Sequence, residues 1–405
     1  MTPLRALLAN EAGGGRGHVT TLAAAARALP DDLDIVAALA RQTYADEVRA
    51  RCSAVVEAPL LARPKGAATA IPGLRGNATW ADALAAIGLA DATKVRRGLA
   101  FWRETIVEHD ISLLIADFAP LALWAARGLR DEGWAIRTVS LGVGYILPPQ
   151  SLNRFPVPLP DITRLIHDEA ETLANLNAVG AEFDLDPLPG LAALYRADLT
   201  LATSFEFLDP YLASRDPGER ASPLVRASRS LAGGGNEVFV YFSTGELRDE
   251  GLVQSLERLP LPRRGFLPSA PPEVKARLQA SGMEMLDRPA TADEIAERSR
   301  LIVHAAPHGT VCLAALAGLP QFAVPQHTEQ LWNARACEAL GVLSHTLPGS
   351  ADIADRITAA YGDGRMADRA REVAVTLRRD HPVDPEAVLA DRLASEIAAA
   401  RAALA

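Results

Sequence analysis

Basic charge, cysteine and long apolar runs are all scarce in this chain. Lys and Arg number 41 against 50 Asp and Glu, a formal charge of -9 with no basic stripe, which excludes a surface built for nucleic acid or anionic lipid. Cys52, Cys312 and Cys337 are odd in number and far apart, without a Cys-x-x-Cys, so neither a disulfide framework nor a zinc ribbon is expected and a reduced, cytoplasmic setting is. The apolar run 6–9 stops at Asn10 and Glu11, too soon for a signal sequence, and Asp117 interrupts the longer run 111–124. No stretch reaches the roughly 18 apolar residues that a membrane-crossing helix needs. What remains, at 405 residues with 49% hydrophobic and 22% charged, is the composition of a globular protein with room for two domains.

Short apolar runs at 4–9, 35–39, 111–116, 136–139 and 199–202, then at 238–242, 283–286, 301–304 and 321–324, alternate with amphipathic stretches. That alternation predicts α/β architecture with parallel sheets wrapped by helices. It breaks once, where Asp209-Pro210, Asp216-Pro217-Gly218, Ser222-Pro223 and Gly233-Gly234-Gly235 crowd together, a run suited to an interdomain linker. The expected division is a first domain over 1–215, a linker over 216–235, a second domain over 236–384 and a final alanine-rich helix over 385–405. Two Pro-rich stretches, 59–72 and 148–160, are long enough to shape a binding mouth or to be incidental surface.

Two loops carry candidate chemistry. Val303 to Thr310 reads as a strand, a turn and a helix start. A helix opening near Gly309 and Thr310 aims unpaired N–H groups and its positive dipole end at an anion, with His304 and His308 as further donors. The earlier loop, Gly13-Gly14-Gly15-Arg16-Gly17-His18, joins a strand to an Ala-rich helix. It lacks the Gly-Lys-Ser/Thr of a Walker loop, and the third glycine of a dinucleotide fingerprint falls on His18. His18 is either a general base or a residue that packs a helix start. Asp117, at the end of the apolar strand 111–116, either orients that histidine or caps the helix beginning near Pro120.

The segment from His304 onward resembles the donor-site signature of the UDP-glycosyltransferase family, enzymes of the GT-B type. His304, Gly309, Thr310, Gly318, Pro320, Pro325, Glu329, Gln330, Asn333 and Ala334 match it in order. Ala306 and Pro307 replace its paired glycines, Ala305 its second histidine, and Leu313 the glutamate that holds the ribose hydroxyls. The Gly17-His18 step and the stretch Ala116 to Ala122 resemble the family's base and aspartate segments, and Ser243-Thr244-Gly245 resembles its diphosphate loop.

The resemblance implies two Rossmann-like domains facing a cleft, with the last helix crossing back to the first domain. It implies an inverting transferase of natural-product type, such as bacteria make, in which His18 is the base and Asp117 orients it. Ser243, Thr244, His304, His308, Gly309 and Thr310 would hold the donor diphosphate, and Glu329 and Gln330 its sugar. The partners implied are a nucleotide-diphosphate sugar and a small-molecule acceptor, with no cofactor and no metal. The Asp-x-Asp triplets at 32–34 and 184–186 are discounted as metal sites for want of neighbouring ligands, and His327 and His345 read as ordinary surface or packing residues. Two rivals remain. One is a nicotinamide-dependent oxidoreductase with Asp32 or Asp34 on the ribose. The other is a non-catalytic nucleotide-sugar-binding protein, which would account for the replaced glycines and glutamate.

Overall fold

The computed structural model describes residues 4–63 and 77–404; residues 64–72 of the first Pro-rich stretch lie outside them. The chain forms two compact units. Among the described residues the first comprises 4–63, 77–224 and 384–404, the second 225–383.

In the first unit a seven-stranded sheet runs β3(Ala54–Glu57), β2(Asp34–Leu39), β1(Arg5–Asn10), β4(Leu113–Ala116), β5(Arg137–Gly142), β6(Leu199–Thr203), β7(Arg220–Ala221), every pairing parallel. In the second, six parallel strands run β10(Met283–Met285), β9(Arg263–Phe266), β8(Glu237–Tyr241), β11(Ser299–His304), β12(Gln321–Ala323), β13(Leu343–His345). Strands covered by helices on both faces are buried almost throughout, which is why β1 and β4 read as unbroken apolar runs.

Each sheet reverses its winding once, between β1 and β4 and between β8 and β11. At such a switch point the loops leaving the C-terminal strand ends diverge and open a crevice. The glycine loop and Asp117 leave β1 and β4; Ser243-Thr244 and Ala305 to Pro307 leave β8 and β11.

The stretch expected to be linker carries β7, and the chain passes between units at Leu224 and Val225. The closing helix, Pro385–Ala403, belongs to the first unit. It opens on Asp384, whose carboxylate accepts the Glu386 and Ala387 N–H groups, with Pro385 in the first turn where no N–H is missed. Leu389, Leu393, Ile397 and Ala400 recur at helical spacing and lie in the same core as Leu8, Leu22 and Ile115. Arg137 pairs with Glu396 at 2.7 Å beside them.

Candidate functional site

In the first unit, β1 delivers a loop that turns into the helix Gly17–Ala28. Gly13 sits at φ 102, and a Cβ on it would lie 2.2 Å from His18 Cδ2, so both backbone conformation and space require glycine. Arg16 points elsewhere, to Glu47 at 2.5 Å. His18 Nδ1 lies 3.0 Å from Asp117 Oδ1, with 23% of the imidazole side chain exposed and 2% of the carboxylate. A carboxylate only accepts, so it fixes Nδ1 as the protonated nitrogen and Nε2 as the basic one.

The capping alternative for Asp117 fails. Its helix, Pro120–Asp131, has no side-chain cap from the preceding residue, and the N–H of Ala122 is met by Glu11 Oε1 at 2.7 Å. Asp117 is held instead through its backbone: its N–H donates to Ala9 O, and its carbonyl accepts from Asn10 Nδ2 at 3.0 Å. Phe118 then takes a left-handed φ of 51, which turns the chain sharply after the carboxylate.

Aromatic rings collect next to His18. Phe118 stands 5.5 Å from its ring, Trp80 5.2 Å from Phe118 and Tyr145 5.9 Å from Trp80. The Trp80 indole donates to the Tyr195 hydroxyl at 3.1 Å. The Pro-rich stretch 148–160 adds Phe155, edge-on to Tyr195. A second histidine-carboxylate pair, His167 Nδ1 to the buried Asp82 Oδ1 at 2.8 Å, fixes the chain beyond that stretch, since Asp82 also accepts the Ile166 and His167 N–H groups. Sequence reasoning missed Trp80, Tyr145 and Asp82 because they lie in no motif; only the rarity of tryptophan marked the first.

In the second unit the helix His308–Ala317 starts after Pro307 without a side-chain cap. Gly309 is exposed, and a Cβ there would meet nothing within 4 Å. An uncapped first turn with a bare glycine is the arrangement that lets backbone N–H groups reach an anion. Thr310 lies half-buried in that turn. Ala306, in place of a glycine, adopts φ 60 all the same, at a cost on the order of 1 kcal/mol. Asn333 Nδ2 donates to its carbonyl at 3.1 Å, joining this turn to the helix Thr328–Ala339 that carries Glu329 and Gln330.

Several residues expected at the phosphate and the sugar are engaged within the protein itself. His304 is fully buried, with Nε2 3.0 Å from Gln321 Oε1 and Nδ1 accepting the Ala306 N–H at 2.7 Å. Burial pushes its pKa down to about 4. It is a neutral brace for the turn, with neither nitrogen directed at a ligand. His308, buried against Cys312 Sγ at 3.7 Å, is also pushed down to about 4 by desolvation and is no cation for phosphate. Thr244 gives its N–H and hydroxyl to the buried Glu246, each at 2.7 Å. Gln330 is buried, and its Oε1 accepts the Gln326 N–H at 2.7 Å. Of the expected donor residues, Gly309 and Thr310 occupy the uncapped turn, Ser243 lies in the loop after β8, and Glu329 stands half-buried in the first turn of its helix.

No protein-family model and no curated sequence matches the chain. In structure it is similar to the calicheamicin glycosyltransferase CalG4, with a TM-score of 0.69 at 17% identity, covering 98% of this chain and 99% of that one. The glycosyltransferase of kitacinnamycin gives 0.66 at 17%, covering 98% and 100%. The glycosyltransferase VinC, in complex with dTDP, gives 0.60 at 15%, covering 98% and 100%. The fold is thus that of the GT-B glycosyltransferases.

Proposed function

We propose that the protein is an inverting, metal-independent glycosyltransferase acting on a small-molecule hydroxyl, with a nucleoside-diphosphate sugar as donor. The observation that carries this reading is the His18–Asp117 hydrogen bond at the switch point of the first sheet. His18 Nε2 takes the acceptor's O–H proton as that oxygen bonds to the anomeric carbon from the face opposite the diphosphate, and the carbon–oxygen bond to the diphosphate breaks. Asp117 stabilises the imidazolium. The uncapped turn at His308 to Thr310 meets the charge growing on the leaving group, which is the service a metal would otherwise give. The half-buried Trp80, backed by the buried rings of Phe118 and Tyr145, suits an acceptor with an apolar face.

The dinucleotide alternative is disfavoured by placement. Asp34 is the first residue of β2 and pairs with Arg5, and Asp32 pairs with Arg401. Both lie at the strand's N-terminal end, whereas a ribose-binding acid belongs at the other. A binding protein without turnover would have no use for an oriented, part-exposed imidazole.

The donor is expected to carry deoxyribose. Leu313 packs partly buried against the apolar cluster of Phe239 and Ile302 and offers no acceptor for a 2′-hydroxyl. VinC was solved with dTDP. With EDTA present, dTDP should raise the melting temperature while NAD does not, because a ligand bound only by the folded state stabilises it. A shift with NAD alone would end the transferase reading. In turnover, the 2′-deoxy donor should be used as well as its ribo counterpart or better; a ribo preference above about 2 kcal/mol would mean that another residue holds the hydroxyl.

A further inference from the structure

We propose that Glu11 is the positioning residue of the His18–Asp117 pair: its carboxyl ties the strand leading to His18 to the first turn of the helix that follows Asp117. The proposal rests on the transferase reading for its meaning in turnover, but the geometry stands by itself.

Glu11 is 1% exposed. Its Oε1 accepts the Ala122 N–H at 2.7 Å, its own N–H donates to Phe118 O at 3.1 Å, and its carbonyl accepts the Leu61 N–H at 2.8 Å. Asn10 Nδ2, one residue earlier, bridges Asp117 O at 3.0 Å and Ala12 O at 2.8 Å. Three bonds from two adjacent residues, to Asp117, Phe118 and Ala122, therefore span the two segments of the pair, and Glu11 supplies the side-chain link beyond Asp117. The last residue of β1 and the one after it carry the clamp, and the helix opened by the following loop carries the base.

Placing a carboxyl here is otherwise costly, which argues that it serves a purpose. Glu11 Oε2 and the Trp102 indole nitrogen are both buried without a hydrogen-bond partner among the described residues, beside a cavity of about 90 Å³ lined by Lys94, Arg97, Gly98 and Leu121. Desolvation drives the carboxyl pKa up to about 8. The Ala122 and Leu121 N–H groups and the facing indole oppose this without cancelling it. An apolar residue would fill the space with less penalty, so the acceptor oxygen is the property worth keeping.

The test uses two variants of the full chain. Glu11→Gln keeps the volume and an acceptor for Ala122; Glu11→Met keeps the volume and removes the acceptor. The proton that His18 Nδ1 shares with Asp117 should give a low-field NMR signal, slow to exchange, in the parent and in Glu11→Gln. In Glu11→Met that signal should be lost or broadened while the far-UV spectrum and cooperative melting remain. With an accepted donor and acceptor, Glu11→Met should lower kcat on the order of 10- to 100-fold with donor KM within about threefold, and Glu11→Gln should restore kcat to within about threefold. Retention of the low-field signal in folded Glu11→Met would overturn the proposal. So would equal damage in the two variants, or failure of Glu11→Met to fold beside an intact Glu11→Gln, which would assign the acceptor to the whole unit. Absence of turnover in the parent would count against the transferase reading alone, because the NMR comparison decides the positioning role without it.

Discussion

Replacing His18 with alanine is expected to lower transfer about 100- to 10,000-fold, the usual effect of removing a general base, while the dissociation constant for the nucleoside diphosphate stays within a few-fold of the parent. The two effects separate because the proposed base is in the first turn of a helix of the first unit, whereas the uncapped helix start proposed for the diphosphate is in the second. Asp117→Asn should lose less: an amide retains the 3.0 Å contact to Nδ1 but no longer fixes the tautomer or stabilises the imidazolium. Single-turnover rates and nucleotide affinities for both variants would be compared with the parent. Near-parental turnover in His18→Ala would sink the mechanism; lost nucleotide affinity would place His18 in the phosphate site instead.

The largest stability effect is expected at Glu11. Unfolded, this carboxyl ionises near 4.5; folded, near 8. Between those values the unfolded chain has released a proton that the folded chain still holds, so stability falls as pH rises through that window, and the loss is complete above it. Over about three units the difference amounts to roughly 4 kcal/mol. Glu11→Gln cannot ionise. Its stability relative to the parent should therefore climb by that amount between pH 4.5 and 8.5, whatever constant offset the amide brings. Urea midpoints at the two pH values would show it; a parent-to-variant difference that does not change with pH would contradict it.

Much of the architecture was legible because β1, β4, β8 and β11 hold apolar runs, as parallel strands buried on both faces must. Of the four strands left unread, β3, β7, β9 and β13, two are disguised by arginines. β9 is Arg263-Arg264-Gly265-Phe266, with both arginines buried. Arg264 pairs with Glu237 at 2.9 Å and lies over the Phe239 ring, so tertiary partners outweigh a pattern that looks like surface. β7 is two residues long and includes Arg220.

At the site, His18 and Asp117 stand 99 residues apart and meet, which strand-end logic anticipates because adjacent parallel strands release their loops at one edge. What the sequence did not disclose is which of the expected donor residues already have partners in the fold. Whether the nitrogens of His304, the hydroxyl of Thr244 or the amide of Gln330 face a ligand depends on what else in the fold reaches them first. Gln321, Glu246 and the Gln326 N–H do. Glu11 was visible only as a residue that ends the first apolar run, and no local pattern tells that its acceptor meets the backbone of Ala122, 111 residues away.

The closing helix gives the first unit a peculiar birth. Leu389, Leu393 and Ile397 fill a core whose other members are made before residue 225. On the ribosome that core stays unfinished until the whole second unit has been translated, an interval of roughly 10–30 s at ordinary elongation speeds. The face later covered by Leu393 is exposed throughout that wait, so the unit synthesised first is the one completed last. The nascent chain's need for a holding chaperone falls on the part that carries His18.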